Sequence, residues 1–340
     1  MKKIITSFFL IYIFSNCFAL QKKDFAIQLN PSFGVMFGRA SEFVHLDYPI
    51  YQGIEDYNEK LSQLDYDFVF PCFSLDLDSK LFKYLYLGGR FSFGIPMKVG
   101  IMQDYDWLNV SYFPNSEYKN ALTNYSIHDN YLNSFLDMSL FMGWYFDLPC
   151  DISLVPFIGI SYDFISFTAK NGYGKYGIKK ENYIASIFES YSKLNFDGPV
   201  IYYEQYSSNR FAGKAPTINF GFNYFITIKS KLCIDGTFLF LPFYRISSYD
   251  FHMLREGEGG TDFLSVVSKS FKFSTNVKIT YSINKVFSLG LLGNFTIIPQ
   301  MTGVTYSKDH NEQNYRFVNN TQSRIARMSG KVSFVVGLSF

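Results

Sequence analysis

The last eleven residues, Gly330 to Phe340, read GKVSFVVGLSF and divide by parity. Val332, Phe334, Val336, Leu338 and Phe340 share one face of an extended chain, while Lys331, Ser333, Val335, Gly337 and Ser339 share the other. Such a segment wants a sheet with hydrocarbon on one side and a polar or crowded space on the other. A helical period would smear the same apolar residues around the axis, so the pattern fixes extended structure.

The dyad repeat recurs in about ten segments, near 24–47, 61–79, 81–108, 129–147, 150–169, 196–227, 230–252, 264–283, 286–305 and 325–340. Short links fall near Asp78–Lys80, Leu148–Cys150, Ile228–Lys231 and Ile283–Lys285. Longer polar links cover 48–60, 109–128, 170–195, 253–263 and 306–324. A soluble β-sandwich also alternates, but this short–long rhythm is that of a membrane barrel with tight periplasmic turns and long extracellular loops. After the N-terminus no apolar run approaches the roughly 20 residues of a membrane-spanning helix. The aromatic fraction is 20%, with 39 Phe and 27 Tyr, enough to furnish lipid-facing walls and interfacial girdles. The expectation is an all-β, antiparallel transmembrane β-barrel of about ten strands, one domain over 20–340, with odd-numbered segments running outward. A chain ending on Phe at an apolar-face position also resembles the C-terminal signal of outer-membrane barrels.

The address agrees. Met1-Lys-Lys, the apolar run IITSFFLIYIF and the small-residue site CFA predict a signal peptide over 1–19, cleaved after Ala19. Lipid attachment at Cys17 is the weaker reading, because the residues before it fit a lipid-attachment box poorly. Loss of Lys2 and Lys3 takes 31 basic residues to 29, equal to the 29 acidic ones, so nothing points to a nucleic-acid partner. Cys72, Cys150 and Cys233 are too scattered for a disulfide framework or a metal site.

Two motifs carry candidate chemistry. Segment three ends IMQDYDWLNV, and an uninterrupted pleat puts Arg90, Ser92, Gly94, Pro96, Lys98, Gly100, Asp104 and Asp106 on the inner face. Phe91, Phe93, Ile95, Met97, Val99 and Ile101 then face lipid, with Tyr105 and Trp107 outward in an aromatic belt. Segment seven ends RISSYDFHMLRE, where Asp250 and His252 sit two apart, a spacing that lets a carboxylate orient an imidazole as a general base. Segments three and seven stand across a ring roughly 20 Å wide, from a strand spacing of ~4.8 Å and a tilt of ~40°. Each motif alone is more often a solvated strand end; their opposition at one height is what raises the chemical reading. One conflict remains: if Asp235, Thr237 and Arg245 face the lumen, parity turns Asp250 and His252 outward. A one-residue bulge near Pro242, in FLFLPF, restores them.

These residues resemble the omptin family, ten-stranded outer-membrane proteases. The resemblance is carried by LSQLDYDF (Leu61–Phe68), MQDYDW (Met102–Trp107), SFTAKNGYGKY (Ser166–Tyr176) and SSYDFH (Ser247–His252), in order from about Ala40 to Phe340. It implies an extracellular-facing endopeptidase in which Asp250 and His252 activate a water while Asp104 and Asp106 hold it and the scissile carbonyl. It implies no covalent intermediate or metal, and the sequence lacks H-E-x-x-H and G-x-S-x-G. Glu42 matches an acidic position that binds a basic side chain before the cleaved bond; its usual acidic companion is Ser248 here, which weakens the preference for Arg or Lys. His128 receives no role. The family further implies a monomer in outer-membrane lipid acting on peptides or proteins, no cofactor, and a dependence on an outer-membrane glycolipid. The competing function is a non-catalytic barrel serving as an adhesin or narrow pore.

Overall fold

The structure, a computed structural model, describes residues 25–82, 84–115, 119–120, 122–176, 200–213, 216–228, 231–252, 261–309 and 312–340, with the backbone alone for 175–176, 200–209 and 252. The predicted signal peptide and residues 177–199 of the third long loop lie outside them.

The strands are β1 (Phe25–Tyr51), β2 (Ile54–Leu81), β3 (Leu85–Gly94), β4 (Met97–Asp106), β5 (Asn124–Trp144), β6 (Phe146–Leu148) and β7 (Ile152–Tyr176). There follow β8 (Val200–Gly213), β9 (Thr217–Ile228), β10 (Leu232–His252), β11 (Thr261–Ser282), β12 (Phe287–Asp309), β13 (Arg316–Phe317) and β14 (Thr321–Ser339). A single turn of helix, α1 (Asn109–Tyr112), follows β4. All ladders are antiparallel, and β14 pairs with β1 from Gln28↔Ser339 to Leu46↔Thr321, closing the sheet on itself. Because β3 and β4 share the third place in the ring, β5 and β6 the fourth, and β8 and β9 the sixth, and because β13 pairs only with β12 off this path, the wall has the ten positions expected. Closure removes the sheet edges that lipid could not satisfy. Among the described residues no helix is long and apolar enough to cross a membrane.

The outer face is the apolar one. Phe33, Val35 and Phe37 of β1 are exposed beside Met328, Val332 and Phe334 of β14, while Ser333, Lys331 and Arg327 point inward and are buried. This is the parity read from GKVSFVVGLSF.

Several boundaries and faces differ from expectation, each for a local reason. The stretch 48–60 is the tip of the β1–β2 hairpin. Its loop shrinks to Gln52–Gly53, with φ of 49° and 84°, the two-residue turn whose twist suits paired strands. The first short turn falls after Leu81, beyond Asp78–Lys80, because β2 keeps pairing to its end with both β1 and β3. The third wall strand breaks at Ile95-Pro96, where Pro cannot donate to the ladder, and its register slips again between Lys98 and Gly100. Lys98 therefore faces out, paired with Asp129 at 2.7 Å, and Val99 faces in among core residues, the reverse of the simple pleat. The two irregularities cancel, and Met102 and Asp104 return to the inner face.

Below the rim the lumen is filled. Asp163, fully buried, receives Arg327, Lys272 at 3.0 Å and the Tyr244 hydroxyl at 2.9 Å, and Lys272 also reaches Asp137 at 3.1 Å. Deeper in, Lys278 lies 3.4 Å from Asp235, and Arg90 donates to Thr237. A void of about 50 Å³ remains between these layers, lined by Asp137, Lys272, Arg327 and Lys331 among others. Among the described residues this void has room for a few waters.

Candidate functional site

The site draws on three strands, β1, β4 and β10: Asp104 and Asp250 each stand two residues before the end of their strand, and Glu42 stands within β1. Strand β10 shows how the sequence places Asp250. Asp235, Thr237, Leu239 and Leu241 are buried at odd positions, then Tyr244, Ile246, Ser248 and Asp250 at even ones. The switch occurs at Pro242–Phe243, with Phe243 73% exposed, and the pairing of β10 with β11 slips at the same point. Pro, lacking an N–H, sits where one residue is looped out of the ladder. The bulge thus lies where the parity conflict placed it, but Arg245, assigned to the lumen by the simple pleat, faces outward beside Phe243. Asp250 is 2% exposed, and His252 ends the strand two positions on, opposite Ser207 and Thr261; its side chain lies outside the described residues.

Across the ring, Asp104 is buried and Asp106 half-buried on the inner side of β4. The main chain of β4 is held by Leu64 and Ser62 of β2 on one side and by Ser126 and Asn124 of β5 on the other. Trp107 does not project freely from the wall. Its ring is half-buried between Tyr105, stacked at 6.1 Å, and the Lys60 ammonium, 3.8 Å from its centroid, against a small cluster of Leu46, Tyr57 and Val110. Tyr57 and Tyr51 donate to the carbonyls of Val110 and Ser111 at 2.6 and 2.5 Å, fastening α1 to the β1–β2 hairpin.

The structure joins Glu42 and Ser248, which are 206 residues apart. The Ser248 hydroxyl donates to one Glu42 oxygen at 2.6 Å and the Ser265 hydroxyl donates to the other. Glu42 is 3% exposed, and these donors offset part of the cost of burying its charge. Ser265 was not singled out from the sequence. It lies opposite Ser248 in the β10–β11 ladder, a relation that only the strand register creates. Beside this pair Tyr66, Phe167 and Phe211 form an aromatic cluster, with Tyr66 stacked on Phe167 at 5.4 Å and edge-on to Phe211 at 5.7 Å, and Phe211 lies opposite Ser248 in the β8–β10 ladder. All three are fully buried.

His128 gains a definite place. It is on the inner side of β5 opposite Met102, with Nε2 2.9 Å from the Ser126 hydroxyl, and burial pulls its pKa down to about 4. It is held neutral, and the stability that this contributes is present above the ordinary histidine pKa and is lost as pH falls toward 4. The motif NGYG explains its fit: a Cβ on Gly172 would lie 2.2 Å from His128 Nδ1 and 2.2 Å from the Ile127 carbonyl, at the register slip between β5 and β7. Gly172→Ala is expected to cost about 1–3 kcal/mol through this overpacking, read as a lower denaturation midpoint of the refolded barrel. Gly89, whose added Cβ would meet its nearest atom at 3.4 Å, makes the control: Gly89→Ala should shift the midpoint far less.

The chain matches the model of the Omptin family over residues 23–340. The crystal structure of the outer membrane protease OmpT from Escherichia coli superposes with a TM-score of 0.73 at 18% identity, covering 94% of this chain and 99% of that one. Looser similarity extends to the translocator domain of the autotransporter NalP from Neisseria meningitidis, with a TM-score of 0.31, 7% identity and coverage of 99% and 96%. The Pseudomonas putida toluene transporter TodX gives 0.30 at 8% identity, with coverage of 94% and 90%. No curated protein sequence matches the chain.

Proposed function

The chain belongs to the omptin family of outer-membrane proteases, and on that premise we propose that it is an endopeptidase that cleaves exposed peptides or proteins near basic residues at the extracellular rim. In this reading His252, oriented by Asp250, takes a proton from a water as that water attacks the carbonyl carbon of the scissile amide. Asp104 and Asp106 hold the water and the carbonyl oxygen; sharing a site, the two carboxyls titrate as a coupled pair, and the protonated one donates to the developing oxyanion. The proton on His252 then passes to the leaving amine. The observation that carries the reading is the inward, buried position of Asp250, produced by the bulge at Pro242–Phe243, on the rim that also carries Asp104 and Glu42. The charged layers packed across the described part of the lumen, around Asp163 and Lys278, favour this reading over a pore.

Glu42 is the candidate acceptor for the substrate's basic side chain, with Ser248 and Ser265 lining its carboxylate. One buried carboxylate in place of two makes the preference for Arg or Lys modest. Ser248→Asp is expected to strengthen it by about tenfold in kcat/KM ratio, on the scale of ~1.4 kcal/mol for one added charge contact. Glu42→Gln should erase it.

The test is refolding of the mature chain with and without an outer-membrane glycolipid, followed by exposure to a fluorogenic peptide library. Cleavage C-terminal to Arg or Lys, retained or raised by the glycolipid, supports the reading. A folded barrel that cleaves no peptide in either condition overturns it.

A further inference from the structure

The two acids of β4 are held differently. Asp104 is 6% exposed, whereas Asp106, at the last position of the strand, is half-buried and clamped by the first residues on the other side of the loop. The Asp106 carbonyl accepts from both the main-chain N–H and the hydroxyl of Thr123, each at 2.8 Å, and that hydroxyl accepts from the Leu108 N–H at 2.9 Å. One residue further, Asn124 lies directly opposite Asp106 in the ladder and donates Nδ2–H to its Oδ2 at 3.3 Å. Thr123 is fully buried, so the clamp is part of the frame and not a solvated loop contact. Trp107 N–H to Leu61 O, at 2.8 Å, fixes the next residue as well.

A donor on a carboxylate and access to water both favour its ionised form, while burial beside a like charge favours the protonated form. We propose that Asn124 is a positioning residue that holds Asp106 ionised and turned inward, leaving Asp104 as the member of the pair that keeps a proton. The inference deepens the protease reading and rests on it for its catalytic meaning: Asp106 fixes the water and Asp104 supplies the hydrogen bond to the carbonyl oxygen. Among the described residues the charged groups on this rim include Asp104 on the same strand and Asp250 on β10 across the ring, with His252 two positions beyond it. Lys60 of β2 is engaged by Gln63 at 3.0 Å and by Trp107, and Lys119 is paired with Glu59 at 2.6 Å. Asn124 thus presents a neutral donor to Asp106 from the adjoining strand.

The experiment titrates the carboxyls directly, so it does not depend on turnover. Refolded protein labelled with carboxyl-¹³C aspartate is followed by NMR through pH, with Asp104→Asn and Asp106→Asn assigning the two signals. The expected order in the unsubstituted protein is Asp106 ionising first and Asp104 last. In Asn124→Leu the Asp106 midpoint should rise by about one pH unit, a tenfold change in proton affinity; Asn124→Ser, which keeps a donor, should bring the midpoint back toward that of the unsubstituted protein. Asn124→Ala serves in place of the Leu variant if the latter fails to fold, as judged by heat-modifiable migration. In the activity arm, the acidic limb of kcat/KM should move up by the same amount, with KM little changed. Asn133→Ala, a side chain bonded to Thr168 on the outer part of β5, should alter neither readout. Asp104 ionising before Asp106, or unchanged midpoints in folded Asn124→Leu and Asn124→Ala, overturns the inference. If the unsubstituted protein shows the expected order yet cleaves nothing, the protease reading fails while the placement of the charge stands.

Discussion

His252→Ala is expected to lower kcat/KM by about 10²–10⁴-fold, the usual contribution of a positioned general base. Asp250→Asn should cost a comparable factor, because an amide presented to the imidazole no longer selects the same tautomer or stabilises the charged ring. The effects should not add: once the imidazole is gone, its orienting partner has nothing to orient, so the double variant should resemble His252→Ala alone. Asp250→Asn keeps the size of its side chain and neither substitution changes the main-chain ladder, so KM for a good peptide should change little if Glu42 supplies the affinity. The measurement is steady-state cleavage of the best library peptide at several pH values. Additive losses in the double variant would show that Asp250 and His252 do not work as a unit. Full activity in His252→Ala would remove the dyad from the mechanism.

Arg327→Leu is expected to produce the largest loss of stability, about 3–5 kcal/mol, since it leaves the fully buried Asp163 without its strongest partner. Lys272 remains at 3.0 Å but is shared with Asp137, so it offsets only part of the loss. The same principle predicts a rescue. Replacing the group together, with Asp163→Leu, Lys272→Met and Arg327→Met, removes the desolvation cost along with the attraction and should recover most of the stability. Asp137, about one-third exposed, can rehydrate when its partner is lost. Denaturant titration of the refolded barrel, read by heat-modifiable migration, tests both arms. A triple variant no more stable than Arg327→Leu would mean that the network contributes a favourable net energy of its own.

A good deal of this was legible in the chain. The parity of GKVSFVVGLSF, the ten alternating segments and the rhythm of short and long links gave the closed antiparallel wall. Reading Asp104 and Asp106 by parity reached the right face of β4, although the route to it was wrong. Pro96 and the slip at Lys98–Gly100 each shift the pleat, and the correct outcome depends on their cancelling. Arg245 shows the opposite case: it looked lumenal only because the register was carried through Pro242 unbroken. Ser248 was legible as the companion of Glu42 only through the family resemblance, while Ser265 and the two hydrogen bonds were out of reach, since no local pattern announces a bond to β1.

What the sequence by itself determined is therefore periodic: which residues face lipid, which face inward, and which kinds of side chain stand near the ends of strands. Side-chain direction alternates with every residue, so it is written into any short window of the chain. What only the tertiary structure decided is relational: the hydrogen bonds from Ser248 and Ser265 to Glu42, the clamp of Thr123 and Asn124 on Asp106, and the charged layers around Asp163. Those depend on bulges that change parity by one residue and on ladder registers that bring together residues as far apart in the chain as Glu42 and Ser248, which are 206 residues apart. A single slipped pair would send each of these groups to the other face of the wall.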